Sequence, residues 1–152
     1  MKKFKFSLDT VLAYKQQALD AAKAEHGAVL ARVREQEAVV AREEQCYREY
    51  NLEYRQRKEE GLTIGEAAVY QNGLRAQEMR IQREIDRLEA LKKQEEEKRA
   101  QMIEAKKESA SLEKLREQKL DAYNKAVQKS EEAMIDELIS RNRAVAAAGA
   151  SA

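Results

Sequence analysis

A stripe of mainly apolar residues recurs in alternating steps of four and three from the amino-terminal region onward: Leu8, Leu12, Lys15, Leu19, Ala22, His26, Val29, Val33, Gln36, Val40, Glu43, Tyr47, Tyr50 and Tyr54. A seven-residue period places these side chains on one line of an α-helix, the seam along which a second helix packs. The sequence breaks strongly once, at Gly61-Leu62-Thr63-Ile64-Gly65-Glu66. Gly61 suits a left-handed residue closing one helix, and Thr63 with Glu66 forms the T-x-x-E capping box that opens another. A second stripe then runs through Tyr70, Leu74, Gln77, Ile81, Glu84, Leu88, Leu91, Glu95, Lys98, Met102, Ala105, Ser109 and Leu112, with more polar positions than the first.

The expected fold is therefore all-α: a long two-helix antiparallel coiled-coil hairpin with unequal arms. Its expected extent is 1–146, with a first helix over about 7–60, a loop over 61–65 and a second helix over about 66–143. Ser7 is the expected N-cap of the first arm, with Phe6 and Val11 placed for a hydrophobic staple. Folding about Thr63 sets Tyr54 opposite the region of Asn72 and Leu12 opposite that of Lys114. Residues beyond about Leu120 are then left without a partner helix, although they still carry apolar positions. The stripe shifts register near Leu115 and Leu120 and resumes through Tyr123, Val127, Ser130, Met134 and Leu138, which predicts a bend or a change of partner. The lone stripe needs a cover: Phe4 and Phe6 folding back, a second copy, or another protein. After Arg143 the alanine-rich segment 144–152 has nothing to pack and is expected to fray.

Composition agrees with long solvated helices. The 152 residues include no proline and no tryptophan, and 38% are charged. Disorder is the competing reading of such a chain, but disordered segments do not space apolar residues regularly. A formal net charge of +1 argues against nucleic acid or an anionic membrane as partner. No secretory or membrane-spanning apolar run is present, so the protein is expected in the cytoplasm with no direct membrane insertion. Cys46 is the single cysteine, which leaves no internal disulfide and no cysteine-based metal cluster. His26 lies on the seam with no second ligand at helical spacing, and reads as a partly buried polar residue rather than a metal ligand. No catalytic constellation, phosphate-binding loop or cofactor motif is present, so no enzyme activity, cofactor or metal is expected. The run from Glu95 to Glu108 reads as a solvated face of ion pairs. Tyr47, Tyr50 and Tyr54 have two readings: packing against the second arm, or a partner-binding face.

Three groups of residues resemble the FliJ family of the bacterial flagellar type III export apparatus. They are the opening Phe4-x-Phe6-x-Leu8-x-x-Val11-Leu12, the end of the long arm from Leu112-Glu113-Lys114-Leu115 through Tyr123 to Ile135-Asp136-Glu137, and the face near the hairpin turn. That face comprises Glu43, Tyr47, Tyr50, Tyr54, Tyr70, Leu74, Gln77 and Ile81. Glu43 and Gln77 depart from the family's residue types. The resemblance implies a non-enzymatic stalk in flagellum biogenesis, and so in motility and chemotaxis. Its termini, through Phe4, Phe6, Leu8, Val11, Leu12, Tyr123, Asp136 and Glu137, would enter the export ATPase hexamer. Its tip would reach the cytoplasmic domain of the membrane export gate protein, and the chain would escort export chaperones. The resemblance also implies peripheral association with the inner face of the membrane at the flagellar base. The alternatives are a self-associating coiled-coil scaffold, and the equivalent stalk of a virulence type III secretion system.

Overall fold

The computed structural model describes residues 2–151, and consists of α1 over Asp9–Glu60 and α2 over Ile64–Ala150. No strand is present among the described residues. The two helices form an antiparallel coiled-coil hairpin, as the stripes require. Met1 and Ala152, the outermost residues of the expected hairpin and tail, lie outside the described residues.

The boundaries differ from the expected ones for local reasons. Residues 7 and 8 form a turn, with the Asp9 N–H donating to the Phe6 carbonyl at 3.2 Å and the Leu12 N–H donating to the Leu8 carbonyl at 2.8 Å. The helix therefore starts at Asp9 rather than at about residue 7, and Ser7 sits in the turn ahead of it. The Asp9 carboxylate then occupies the first turn, where the helix dipole favours an anion. At the other end of α1 the Gly61 N–H donates to the Arg57 and Lys58 carbonyls at 3.0 and 3.3 Å. Gly61 has φ +104°, a conformation that side-chain-bearing residues rarely adopt.

Thr63 caps α2: its Oγ1 accepts from the Glu66 N–H at 3.2 Å, and its carbonyl accepts from Ala67 at 3.0 Å. A cap stands immediately ahead of its helix, so α2 begins at Ile64 and the loop is 61–63 rather than 61–65. The far end also differs, since α2 continues to Ala150 through the segment expected to fray. Alanine has the highest helix propensity, and here it extends the helix with every residue from 144 to 150 exposed.

The chain divides into two compact units, Leu19–Ala105 and Met1–Ala18 with Lys106–Ala152. All stripe positions from Leu8 to Tyr54 and from Tyr70 to Leu112 are buried or half-buried. The apolar core is Phe6, Leu12, Val29, Val33, Val40 and Tyr54, and no described side chain is wholly enclosed.

Within Leu19–Ala105 the polar seam residues pair with one another. Gln36 Nε2 donates to the Glu84 carbonyl at 3.0 Å and to its carboxylate. Gln77 Nε2 donates in the same way to the Glu43 carbonyl at 3.2 Å and to its carboxylate. These layers lie one heptad apart and are reciprocal, glutamine coming from α1 in one and from α2 in the other.

In the unit containing both termini, Lys15 pairs with Glu108 at 2.7 Å, Gln16 donates to Glu113 at 3.1 Å and Arg116 approaches Asp9 at 3.6 Å. Past Leu120, where a bend or a change of partner was expected, the helix stays continuous, and at Tyr123 its partner becomes the extended amino-terminal segment. Tyr123 donates to the Lys2 carbonyl at 2.7 Å, and its ring lies 5.6 Å from that of Phe4. From Gln128 onward every described residue is exposed.

Removing one member of a polar layer leaves the other half-buried and unpaired, at a cost of about 1–3 kcal/mol. Gln77→Leu is expected to lower stability to guanidinium by that amount. The double variant Glu43→Leu/Gln77→Leu is expected to recover most of it, because a matched apolar pair replaces a matched polar one. Equal losses in the single and double variants would contradict this account.

Candidate partner-binding sites

Near the turn, within Leu19–Ala105, the two arms bring tyrosines together. The rings of Tyr54 and Tyr70 are stacked with centroids 5.2 Å apart, and Tyr50 lies 5.3 Å from Tyr70. Lys58 Nζ sits 4.4 Å over the Tyr54 ring, an added cation–π contact. Tyr54 is 6% exposed and accepts from Gln71 Nε2 at 3.4 Å. Tyr47, Tyr50 and Tyr70 are half-buried. Tyr70 donates to Glu53 and Tyr47 donates to Glu78, each at 3.1 Å. The hydrogen bond to Glu78 raises the Tyr47 phenol above its ordinary pKa. Burial first, and then Glu53, does the same for Tyr70.

The expected face is not one open surface. Tyr54 is sealed, and Glu43 and Gln77 turn toward each other across the seam. Leu74 and Ile81 are half-buried in the stripe. Tyr50, Tyr54 and Tyr70 do form one cluster, so packing accounts for these rings, with Tyr50 and Tyr70 half-buried and Tyr54 buried.

Sequence reasoning missed Gly73. A Cβ built there would lie 2.5 Å from the Tyr50 hydroxyl oxygen and 2.8 Å from Cε1 and Cζ, so the Tyr50 ring rests on bare α2 backbone. The signal was a glycine inside a helical pattern, which costs roughly 1 kcal/mol against alanine and so implies a compensating contact. Ile64, Val69 and Leu52 were also missed: they are exposed and apolar, off the seam near the turn, as is Met79, whose place in the sequence already puts it off the seam.

Among the terminal residues, Phe6 and Leu12 are core, and Leu8 is half-buried. Phe4 is half-buried under Tyr123, with the Arg116 guanidinium 5.8 Å from its ring centroid. Only Val11, 42% exposed, and the exposed Asp136 and Glu137 offer open side chains there.

His26 makes the third polar seam contact, its Nε2 lying 2.8 Å from Glu95 Oε1, which also accepts from Arg99 at 2.6 Å. The His26 hydrogen bond, followed by the contribution of Arg99, holds the Glu95 carboxyl below its ordinary pKa against the opposing effect of burial. Among the described residues no group of three or more His, Cys, Asp or Glu side chains is arranged to hold a metal, and no helix is long and apolar enough to cross a membrane.

Two outcomes follow. Gly73→Ala is expected to push the Tyr50 ring out of its place, visible as a changed Tyr50 ring environment by NMR. The melting temperature should move little, because the ring end can swing away and alanine strengthens the helix. An unchanged Tyr50 signal would contradict the close approach. Glu95 has a depressed folded-state pKa, so its contribution to stability is present above the ordinary carboxylate range and is lost as pH falls through the lowered value. The melting-temperature advantage of the wild type over Glu95→Gln is therefore expected to be full at neutral pH and to shrink on acidification. A difference independent of pH would exclude this linkage.

The flagellar FliJ protein family matches residues 4–147. A solved structure assigned as a YscO homolog from Chlamydia trachomatis has the same fold, with a TM-score of 0.52 and 18% sequence identity, covering 90% of this chain and 93% of that one. No curated protein sequence matches the chain. The family match spans nearly the whole hairpin, including the opening aromatic motif, the tyrosine cluster and the Ile135-Asp136-Glu137 segment, and the chain accordingly belongs to the flagellar FliJ family.

Proposed function

We propose that this protein is a non-enzymatic adaptor of flagellar type III protein export, joining the export ATPase ring to the membrane export gate and passing export chaperones between cargoes. Family membership supports the coarser part, a component of type III export. The observation that carries the finer part is the tyrosine cluster at the turn. Packed rings that are only half-buried at Tyr50 and Tyr70, rimmed by Glu53 and Glu78, have the chemistry of a protein-binding patch, in which rigid aromatic area is presented at low entropic cost. In this reading the cytoplasmic domain of the gate takes the edges of Tyr50 and Tyr70 together with neighbouring Val69. The ring takes the terminal end through Val11, Asp136 and Glu137, with Phe4, Phe6, Leu8, Leu12 and Tyr123 holding that end in shape. The protein then works at the inner face of the membrane at the flagellar base, as a peripheral component.

The test uses the export ATPase and the gate's cytoplasmic domain from the same organism. Wild-type chain is expected to stimulate ATP hydrolysis and ring assembly, and Asp136→Lys/Glu137→Lys to lose that stimulation with helicity unchanged, since both residues lie outside the inter-arm contacts. Tyr50→Ala is expected to weaken gate binding at least tenfold while leaving ATPase stimulation intact. No stimulation under ring-forming conditions would remove the ATPase half of the proposal, and full gate binding by Tyr50→Ala would remove the tip half.

A further inference from the structure

We propose that the α2 segment from Val127 to Val145 pairs antiparallel with the same segment of a second copy of this chain. The stretch is fully helical, and it is exposed throughout beyond Val127. Met134 is 62% exposed, Leu138 54% and Val145 67%, high values for large apolar side chains on one helix face. Phe4 and Phe6, the residues of the chain's own amino-terminal segment that could cover such a face, are engaged elsewhere: Phe4 at Tyr123 and Phe6 in the core.

What identifies the occupant is the order of residues on the stripe. Ser130 and Glu131 flank the stripe's line on either side, and taken on the Glu131 side, steps of four, three, four, three and four connect Val127, Glu131, Met134, Leu138, Arg141 and Val145. This spacing is the same read in either direction. So is the chemistry once partners are matched across a twofold axis: Val127 meets Val145, Glu131 meets Arg141, and Met134 meets Leu138. A parallel pair would instead set Glu131 against Glu131 and Arg141 against Arg141, so charge selects the antiparallel arrangement. Ile135 and Ile139 border the stripe on one side. An antiparallel pair sets each border against its own copy, which brings the two Ile135 side chains together and leaves Glu137 at the solvated opposite border, where it keeps its partner Arg141 or water.

The seam is roughly 27 Å long at 1.5 Å per residue, short enough that the association is concentration-dependent. The Glu131–Arg141 contacts add little net stability at its edges and serve mainly to set direction and register. Arg141 pairs with Glu137 on its own helix at 3.1 Å, an exposed pair that exchanges readily for another carboxylate.

Sedimentation of the purified full chain over a concentration series tests this without any export component, so its outcome is independent of the adaptor reading. The wild type is expected to pass from monomer to dimer. Glu131→Arg and Arg141→Glu are each expected to remain monomeric at concentrations where the wild type is dimeric, and the double variant Glu131→Arg/Arg141→Glu to regain the dimer. Unchanged circular dichroism in all variants is expected, because neither residue takes part in an inter-arm contact. A wild type that stays monomeric, a dimer that survives either single exchange, or a double variant that does not regain pairing would each overturn the proposal.

Discussion

Two amide groups hold the tip half of this hairpin in register. Valine seams such as Val29, Val33 and Val40 are permissive, because one valine fills a hole much like another and the arms could pair equally well after sliding one heptad. The Gln36–Glu84 and Gln77–Glu43 layers remove that freedom. A slide in one direction brings Glu43 opposite Glu84, two carboxylates in one half-buried layer. A slide in the other brings Gln36 opposite Gln77 and leaves both carboxylates unmatched. The placement of Tyr50 over Gly73, and hence the tyrosine cluster, depends on this register, since one heptad away a side-chain-bearing residue would stand under the ring.

The fold was legible in the sequence because a coiled coil writes its tertiary contacts as a period. Each arm carried its half of the seam in steps of four and three, and Gly61 with Thr63 marked the turn. What escaped was whatever depends on both arms together or on fine competition at helix ends. Glu43, Gln77, Gln36 and Glu84 read as weak points when each arm is considered alone, and become specific pairs only when the register joins them. Gly73 carries no visible reason within α2, because its reason is a ring supplied by α1. Ser7 was a good capping residue in principle, but the Phe6 carbonyl is bonded by Asp9, and the resulting turn moved the start of the helix. The alanine tail was judged by its lack of packing, whereas propensity alone carried the helix through it.

The candidate surfaces have the chemistry of recognition. Near the turn the Tyr47 and Tyr70 hydroxyls are braced by Glu78 and Glu53, and the far end of α2 shows apolar side chains beside an Arg141–Glu137 pair. In the proposed reading the two surfaces differ in character: an aromatic patch already packed in the hairpin, and a solvated helix face whose binding energy is released only when something lies along it.

That no side chain among the described residues is wholly enclosed has a thermal consequence. The heat-capacity increment of unfolding scales with the apolar surface newly hydrated, about 12–15 cal/mol/K per residue in compact domains. A two-helix seam hydrates far less on opening, so the increment per residue is smaller and the free-energy curve against temperature is flatter. Such a chain loses structure gradually on warming, from its helix ends inward, and retains it on cooling well below the range in which a protein with a dry interior begins to weaken.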